Sequence, residues 1–119
     1  MNGKFVITDD PYQAITPIAA DEVGLSEIEK QGLSVFVDKG CVACHSRDGS
    51  RTVGPSFQHL WGRHEDLEGG GGATVDEAYF KESVREPGAK IVKGFQPVMP
   101  QLMVSDDELQ KLIAYAKKL

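Results

Sequence analysis

The chain has 119 residues, 40% of them hydrophobic and 26% charged, with a formal net charge of −5. This is one domain's worth of globular sequence that buries roughly 60–65% of its unfolded surface, and no basic stripe is present to neutralise phosphates, which excludes nucleic acid as a partner. No stretch reaches the ~20 apolar residues that span a bilayer, and "MNGKFVITDDPYQ" lacks the charged start, apolar core and cleavage site of a signal peptide.

Residues 1–25 differ in texture from the rest: "KFVIT" reads as a short strand and the proline-bearing "DDPYQAITPIAADEVG" as a linker. Three later segments open with Ser or Thr followed three positions on by Glu, namely Ser26/Glu29, Thr74/Glu77 and Ser105/Glu108. In such a capping box the hydroxyl and the carboxylate each satisfy an orphan backbone N–H. The predicted helices are 26–39, with Ile28, Leu33, Val35 and Phe36 inward; 74–86, stopping before Pro87 with Ala78, Phe80 and Val84 inward; and 105–119, with Leu109, Leu112, Ile113 and Ala116 on one stripe. Lys117 and Lys118 suit the negative end of the last helix. Residues 67–73, "LEGGGGA", read as an exposed flexible loop. With no repeat and poor strand signals after residue 10, the expected class is all-α.

Both cysteines of the chain lie in "CVACHSRDGSRTVGPSF". A disulfide-exchange CxxC needs a βαβ context that is missing here. A Cys2His2 zinc site would pair Cys41 and Cys44 with His59 and His64, with fourteen residues between the pairs and four between the histidines. Gly54 and Pro55 interrupt that segment, Gly62 weakens a helix between the histidines, and two amphipathic helices would be left without a role. The third reading uses His45: Cys-x-x-Cys-His is the attachment sequence for a c-type haem. Two thiols one helical turn apart add to the two vinyl groups, and the adjacent imidazole becomes the proximal iron ligand.

Such a haem needs a second axial ligand, and Met paired with His raises the reduction potential. Met99 and Met103 are the methionines downstream. Met99 is favoured, because Pro97 and Pro100 stiffen its loop, whereas Met103 just before the Ser105 cap is expected to pack in the core. Val53, Phe57, Leu60, Trp61, Ile91, Phe95 and Val98 are the candidates for an apolar pocket.

With these residues in place, positions 26–119 resemble a class I cytochrome c. Gly32 and Phe36 are similar to the Gly/aromatic pair that lets the first helix cross the last closely, with Leu112 and Tyr115 at the partner positions. "VGPSFQHLWGR" resembles the family's "TGPNLHGLFGR", which implies that Pro55 accepts a hydrogen bond from His45, that Arg63 lies near a haem propionate, and that Trp61 packs on the haem or in the core. His59 and His64 are then surface residues. The implied fold is three main helices plus short helical turns around one covalent haem c.

The run from Asp76 to the end carries Tyr-x-x-x-Ser, Pro-x-Ala-Lys-Ile-Val and Pro-x-Met-Pro, and resembles the cytochrome c domain fused to subunit II of caa3-type oxidases. "MNGKFVIT" resembles the stretch after the copper loop of such subunits, which would make 1–25 the tail and tether of a CuA domain; Met1 reads equally as an added start residue. The "EDLEGGGG" insertion and the acidic balance depart from that pattern. The resemblance implies one-electron transfer and not enzymatic turnover, since both axial positions are filled. Electrons would come from a soluble donor protein and pass to the CuA centre of the same subunit. A free-standing periplasmic carrier is the alternative. Haem attachment outside the cytoplasm implies export, so the missing signal peptide is expected to reflect processing or excision from a longer, membrane-anchored protein. Lys39, Lys90 and Lys93 would form a positive rim for docking, or be ordinary solvated lysines.

Overall fold

The structure, a computed structural model, describes residues 24–119. The predicted strand and most of the linker therefore lie outside the described residues.

Two helices form the frame. Helix α1, Glu27–Asp38, and the last helix, here α3, Asp106–Lys118, both start at the expected capping boxes: Ser26 and Ser105 each accept from the N3 amide while Glu29 and Glu108 reach back. They cross where α1 carries Gly32. A Cβ there would sit 2.0 Å from the Lys111 carbonyl oxygen and 2.6 Å from Tyr115 Cβ, so only glycine allows this approach. Phe36 and Tyr115 close the crossing, both fully buried with ring centroids 5.6 Å apart, over Leu109, Leu112, Ile113 and Ala116. Fully burying such side chains contributes about 1.5–3 kcal/mol each.

The middle helix, α2, is Glu77–Arg85, three residues shorter at its start than predicted. Thr74 is not its cap. Asp76 takes that role, its carboxylate accepting from the Tyr79 amide at 2.8 Å. Thr74 belongs instead to an antiparallel hairpin of β1, His64–Asp66, and β2, Gly72–Thr74, in the register His64↔Thr74, Glu65↔Ala73 and Asp66↔Gly72. The fold is therefore not purely α. The glycine-rich segment turns a hairpin because its backbone pairs both with itself and with the chain at 91–93. Leu67 bridges Val92, the Glu68 amide donates to Ile91 at 2.8 Å, and the Lys93 amide donates to Asp66 at 2.7 Å.

Three burial expectations fail. Ile28 is 48% exposed and Ala78 is exposed, because each faces away from the α1/α3 seam or the cleft described below. Met103 is 88% exposed; its carbonyl, not its side chain, is tied down, by Lys39 Nζ at 2.8 Å. Arg47, which nothing in the sequence marks as interior, is buried and donates to the Tyr115 hydroxyl at 2.8 Å, with its guanidinium over Phe36.

Candidate functional site

After α1 ends, a single 3-10 turn, Cys41–Ala43, presents the two cysteines and the histidine. The His45 and Cys44 amides both return to the Cys41 carbonyl, at 2.9 and 3.1 Å. The Cys44 carbonyl is then held twice, by the Gly54 amide at 2.7 Å and the Thr52 hydroxyl at 2.6 Å. This brings the "TVGP" stretch alongside the imidazole.

His45 Nδ1 donates to the Pro55 carbonyl at 2.7 Å, which fixes the tautomer and leaves Nε2 as the ring nitrogen available to a metal. The ring stacks obliquely on Phe57 with centroids 4.9 Å apart. Gly54 lies flat against it, and a Cβ there would come within 2.5 Å of His45 Cε1. Burial holds the His45 pKa below its usual value, against the opposing pull of the Pro55 hydrogen bond. The imidazole is therefore neutral near pH 7, the state in which it binds a metal. Burial, with a smaller push from Cys44, raises the Cys41 thiol to about 11. Such a thiol is a poor partner for disulfide exchange, which needs a thiolate.

His45 and Cys44 open onto an apolar cleft of about 870 Å³, a volume that includes the open solvent at its mouth. Phe57, Leu60 and Val75 line its floor, α2 supplies Tyr79, Phe80, Ser83 and Val84, and the segment after α2 supplies Ile91, Val92, Phe95, Val98 and Met99. Of the predicted pocket residues, Val53, Phe57, Leu60, Ile91, Phe95 and Val98 line the cleft, and Val53 and Val98 are more than half exposed at its mouth. The cleft thus collects Cys44, His45, Pro55 and Met99 from segments far apart in sequence, with buried Cys41 one turn behind Cys44. A flat apolar group carrying a metal fits this donor set: a neutral oriented imidazole, a thioether and two thiols at the wall.

Two predicted residues sit one layer back. Trp61 does not line the cleft; it packs on Phe80 with centroids 5.3 Å apart and lies under Lys117 Nζ at 5.3 Å. Arg63 is committed elsewhere. Its Nε and Nη2 both donate to Glu65 Oε2, at 3.1 and 2.9 Å, and Nη2 and Nη1 donate to the Ser56 and Gln58 carbonyls at 3.0 and 3.2 Å. The group that faces the cleft in its place is Glu65. Glu65 was not singled out by sequence, having no motif of its own. Tyr79 and Ser83, four apart on one face of α2, also line the cleft and are not among the residues nominated from the sequence. His59 and His64 are exposed, with His64 on a strand beside Asp66 at 3.2 Å. They do not converge on the cysteines, and among the described residues no group of three or more Cys, His, Asp or Glu side chains is placed to hold a metal ion.

Comparison with known proteins matches residues 29–119 to the family described as Cytochrome c. The chain is also similar to cytochrome c2 of Blastochloris viridis, at 33% identity over 130 aligned positions that cover 98% of this chain and 89% of that protein. Family match, relative and cleft agree: the chain belongs to the cytochrome c family, whose members are electron carriers holding covalently attached haem c, and it is not an enzyme.

Proposed function

We propose that residues 26–119 form a one-electron-transfer domain in which Cys41 and Cys44 would anchor the porphyrin and His45 and Met99 would ligate its iron. The domain takes electrons from a soluble redox protein and passes them to the CuA centre of a caa3-type oxidase on the outer side of the membrane. The bound haem supplies a reversible ferric/ferrous couple; the chain's task is to orient the ligands, exclude water and present an edge for electron entry and exit. The observation that carries the reading is the His45 Nδ1 to Pro55 bond with Gly54 packed on the ring, at a cleft that also holds Met99. A built imidazole orientation of this kind serves a metal ligand and has no use in a surface histidine. Trp61 and Arg63 would bear on a bound haem only through Phe80 and Glu65, which they contact.

The oxidase assignment rests on the likeness of the runs between 79 and 100, and of the opening "MNGKFVIT", to that family's subunit II. In that case 1–25 is the tether. A second reading, a free-standing periplasmic carrier, is favoured by the near full-length overlap with a cytochrome c2. Oxidised and reduced visible spectra test the core claim. A sharp reduced α-band and a weak long-wavelength Met–iron band are expected, the second lost in Met99→Ala and kept in Met103→Ala; a colourless protein, or one containing zinc, overturns it. Sequence upstream in the gene separates the two settings: a CuA domain supports the oxidase, and a signal peptide directly before this chain supports the free carrier. Rapid reduction of a soluble CuA fragment by the reduced protein is the functional counterpart.

A further inference from the structure

The wall that carries Met99 has almost no regular structure. Between α2 and α3 the chain runs from 87 to 104 with no helix and a single isolated bridge, at Val92. Its ties to the rest of the protein gather at 90–94, upstream of the methionine, and again downstream of it, where Gln101 Nε2 donates to the Arg85 carbonyl at 3.0 Å and Lys39 Nζ to the Met103 carbonyl at 2.8 Å. The hairpin strand pairs with 91–93, as described above. At Gly94 two side chains from different parts of the molecule then meet. The Glu68 carboxylate, beyond the end of β1, accepts from the Gly94 amide at 2.7 Å. The Arg51 guanidinium, from the loop that follows the attachment turn, donates to the Gly94 carbonyl and lies over the Phe95 ring, 4.2 Å from its centroid. Gly94 has φ +90°, a conformation that side-chain-bearing residues rarely adopt, so the turn is poised by its sequence and held by its neighbours.

We propose that Glu68 and Arg51 form a two-sided clasp on Gly94 that restrains the Met99 segment and sets how readily the Met99 sulfur yields to a competing ligand. Both are positioning residues and act through the backbone. The inference rests on the reading of Met99 as an axial ligand. Its physical basis is that Arg51 ties the histidine side of the cleft directly to the methionine side, while Glu68 ties the methionine side to the hairpin. Downstream, from 95 to 100, the backbone bonds are local, such as the Val98 amide to the Gln96 carbonyl at 2.9 Å. The stretch free to move is therefore 95–100, held upstream by the clasp at Gly94 and downstream at Gln101 and Met103. Both clasp side chains are exposed, which makes each contact individually modest; convergence on one residue and stacking on Phe95 make them effective together.

The test uses imidazole as a competing ligand for the ferric haem protein, with native-state amide exchange alongside. Arg51→Ala and Glu68→Ala are each expected to speed imidazole entry by roughly three- to tenfold, the scale of one charge-assisted hydrogen bond discounted for exposure. The double variant is expected to fall short of the product of the two, because both act on the same residue. Arg51→Lys keeps a donor but not the flat stacking surface and should lie between. The Gly94 amide should lose protection in Glu68→Ala. Asp107→Asn, which breaks an exposed ion pair with Lys111 on α3, is the control and should leave imidazole entry unchanged. Entry at the wild-type rate in both alanine variants overturns the clasp. So does acceleration that merely tracks a loss of global stability in denaturant. If the Met–iron band survives Met99→Ala, the ligand assignment falls and takes the clasp's purpose with it, an outcome distinct from either of the others.

Discussion

The α1/α3 crossing and the Met99 wall are built in opposite ways. At the crossing, two capped helices meet through backbone contact at Gly32, and the stabilisation is burial: Phe36, Leu112 and Tyr115 are almost wholly out of water. At the wall, irregular chain is held by hydrogen bonds from the hairpin, Glu68, Arg51, Lys39 and the Arg85 carbonyl, and several of its apolar side chains are partly or largely exposed. Phe57 links the two, with its ring 5.1 Å from Phe36 and 4.9 Å from His45. The difference teaches that the scaffold fixes the histidine side of the cleft rigidly, while the methionine side is tuned by contacts that cost little to change.

Breaking the crossing should have the largest effect. Gly32→Val places a side chain against the Lys111 carbonyl and is expected to destabilise by about 3 kcal/mol or more, read as the shift in the denaturant midpoint. Next comes Gly54→Ala, which pushes on the imidazole. A loss of about 1–3 kcal/mol is expected, together with a disturbed ligand-field spectrum, a combination that Gly32→Val should not show in its folded fraction. On the wall, Met99→Ala should remove the Met–iron band at a smaller cost in stability, while Met103→Ala stays within about 0.5 kcal/mol of the parent, as for an exposed side chain.

Alkaline titration probes the crossing from within. Burial pushes the Tyr115 phenol up to about 12, against the favourable nearby Arg47, so the folded state holds this proton more tightly than the unfolded chain. Its contribution is complete below the ordinary tyrosine value, about 10, and is lost as pH rises toward about 12. Tyr115→Phe should flatten that part of the stability curve. The smallest effect distinguishes the two candidate caps of α2: Asp76→Ala should cost about 1 kcal/mol and Thr74→Ala clearly less, in thermal or denaturant unfolding.

Legibility followed the same division. The Ser26 and Ser105 boxes and the buried stripe of α3 are readable because each is a local pattern, whereas the Gly32 crossing is implied by the resemblance alone. The hairpin is not readable, because "HED" and "GAT" carry no strand propensity and their pairing is completed by residues 91–93, remote in sequence. Thr74 was misassigned because a capping-box spacing fits Thr74/Glu77 while Asp76 sits closer to the helix. Cys44, His45, Pro55 and Met99, which motif, elimination or resemblance nominates, come together at the cleft with Cys41 one turn behind. Glu65 and the clasp residues were hidden, since an acid in a cleft mouth and two side chains meeting on one glycine leave no periodic trace. Arg47 was hidden for a similar reason: arginine is among the least frequently buried residues, and the Tyr115 hydroxyl that receives it lies far along the chain.

The hairpin tip has a practical use that follows from its surroundings. Nothing lies within 4 Å of where a Cβ would be at Gly69, Gly70 or Gly71. These three glycines have φ between +81° and +103° and are best kept; lengthening a loop costs only about 0.6 kcal/mol per doubling, so a short peptide handle inserted between them should leave the cleft undisturbed. Placed a few residues from Glu68, it would report from outside on any opening of the segment that carries Met99.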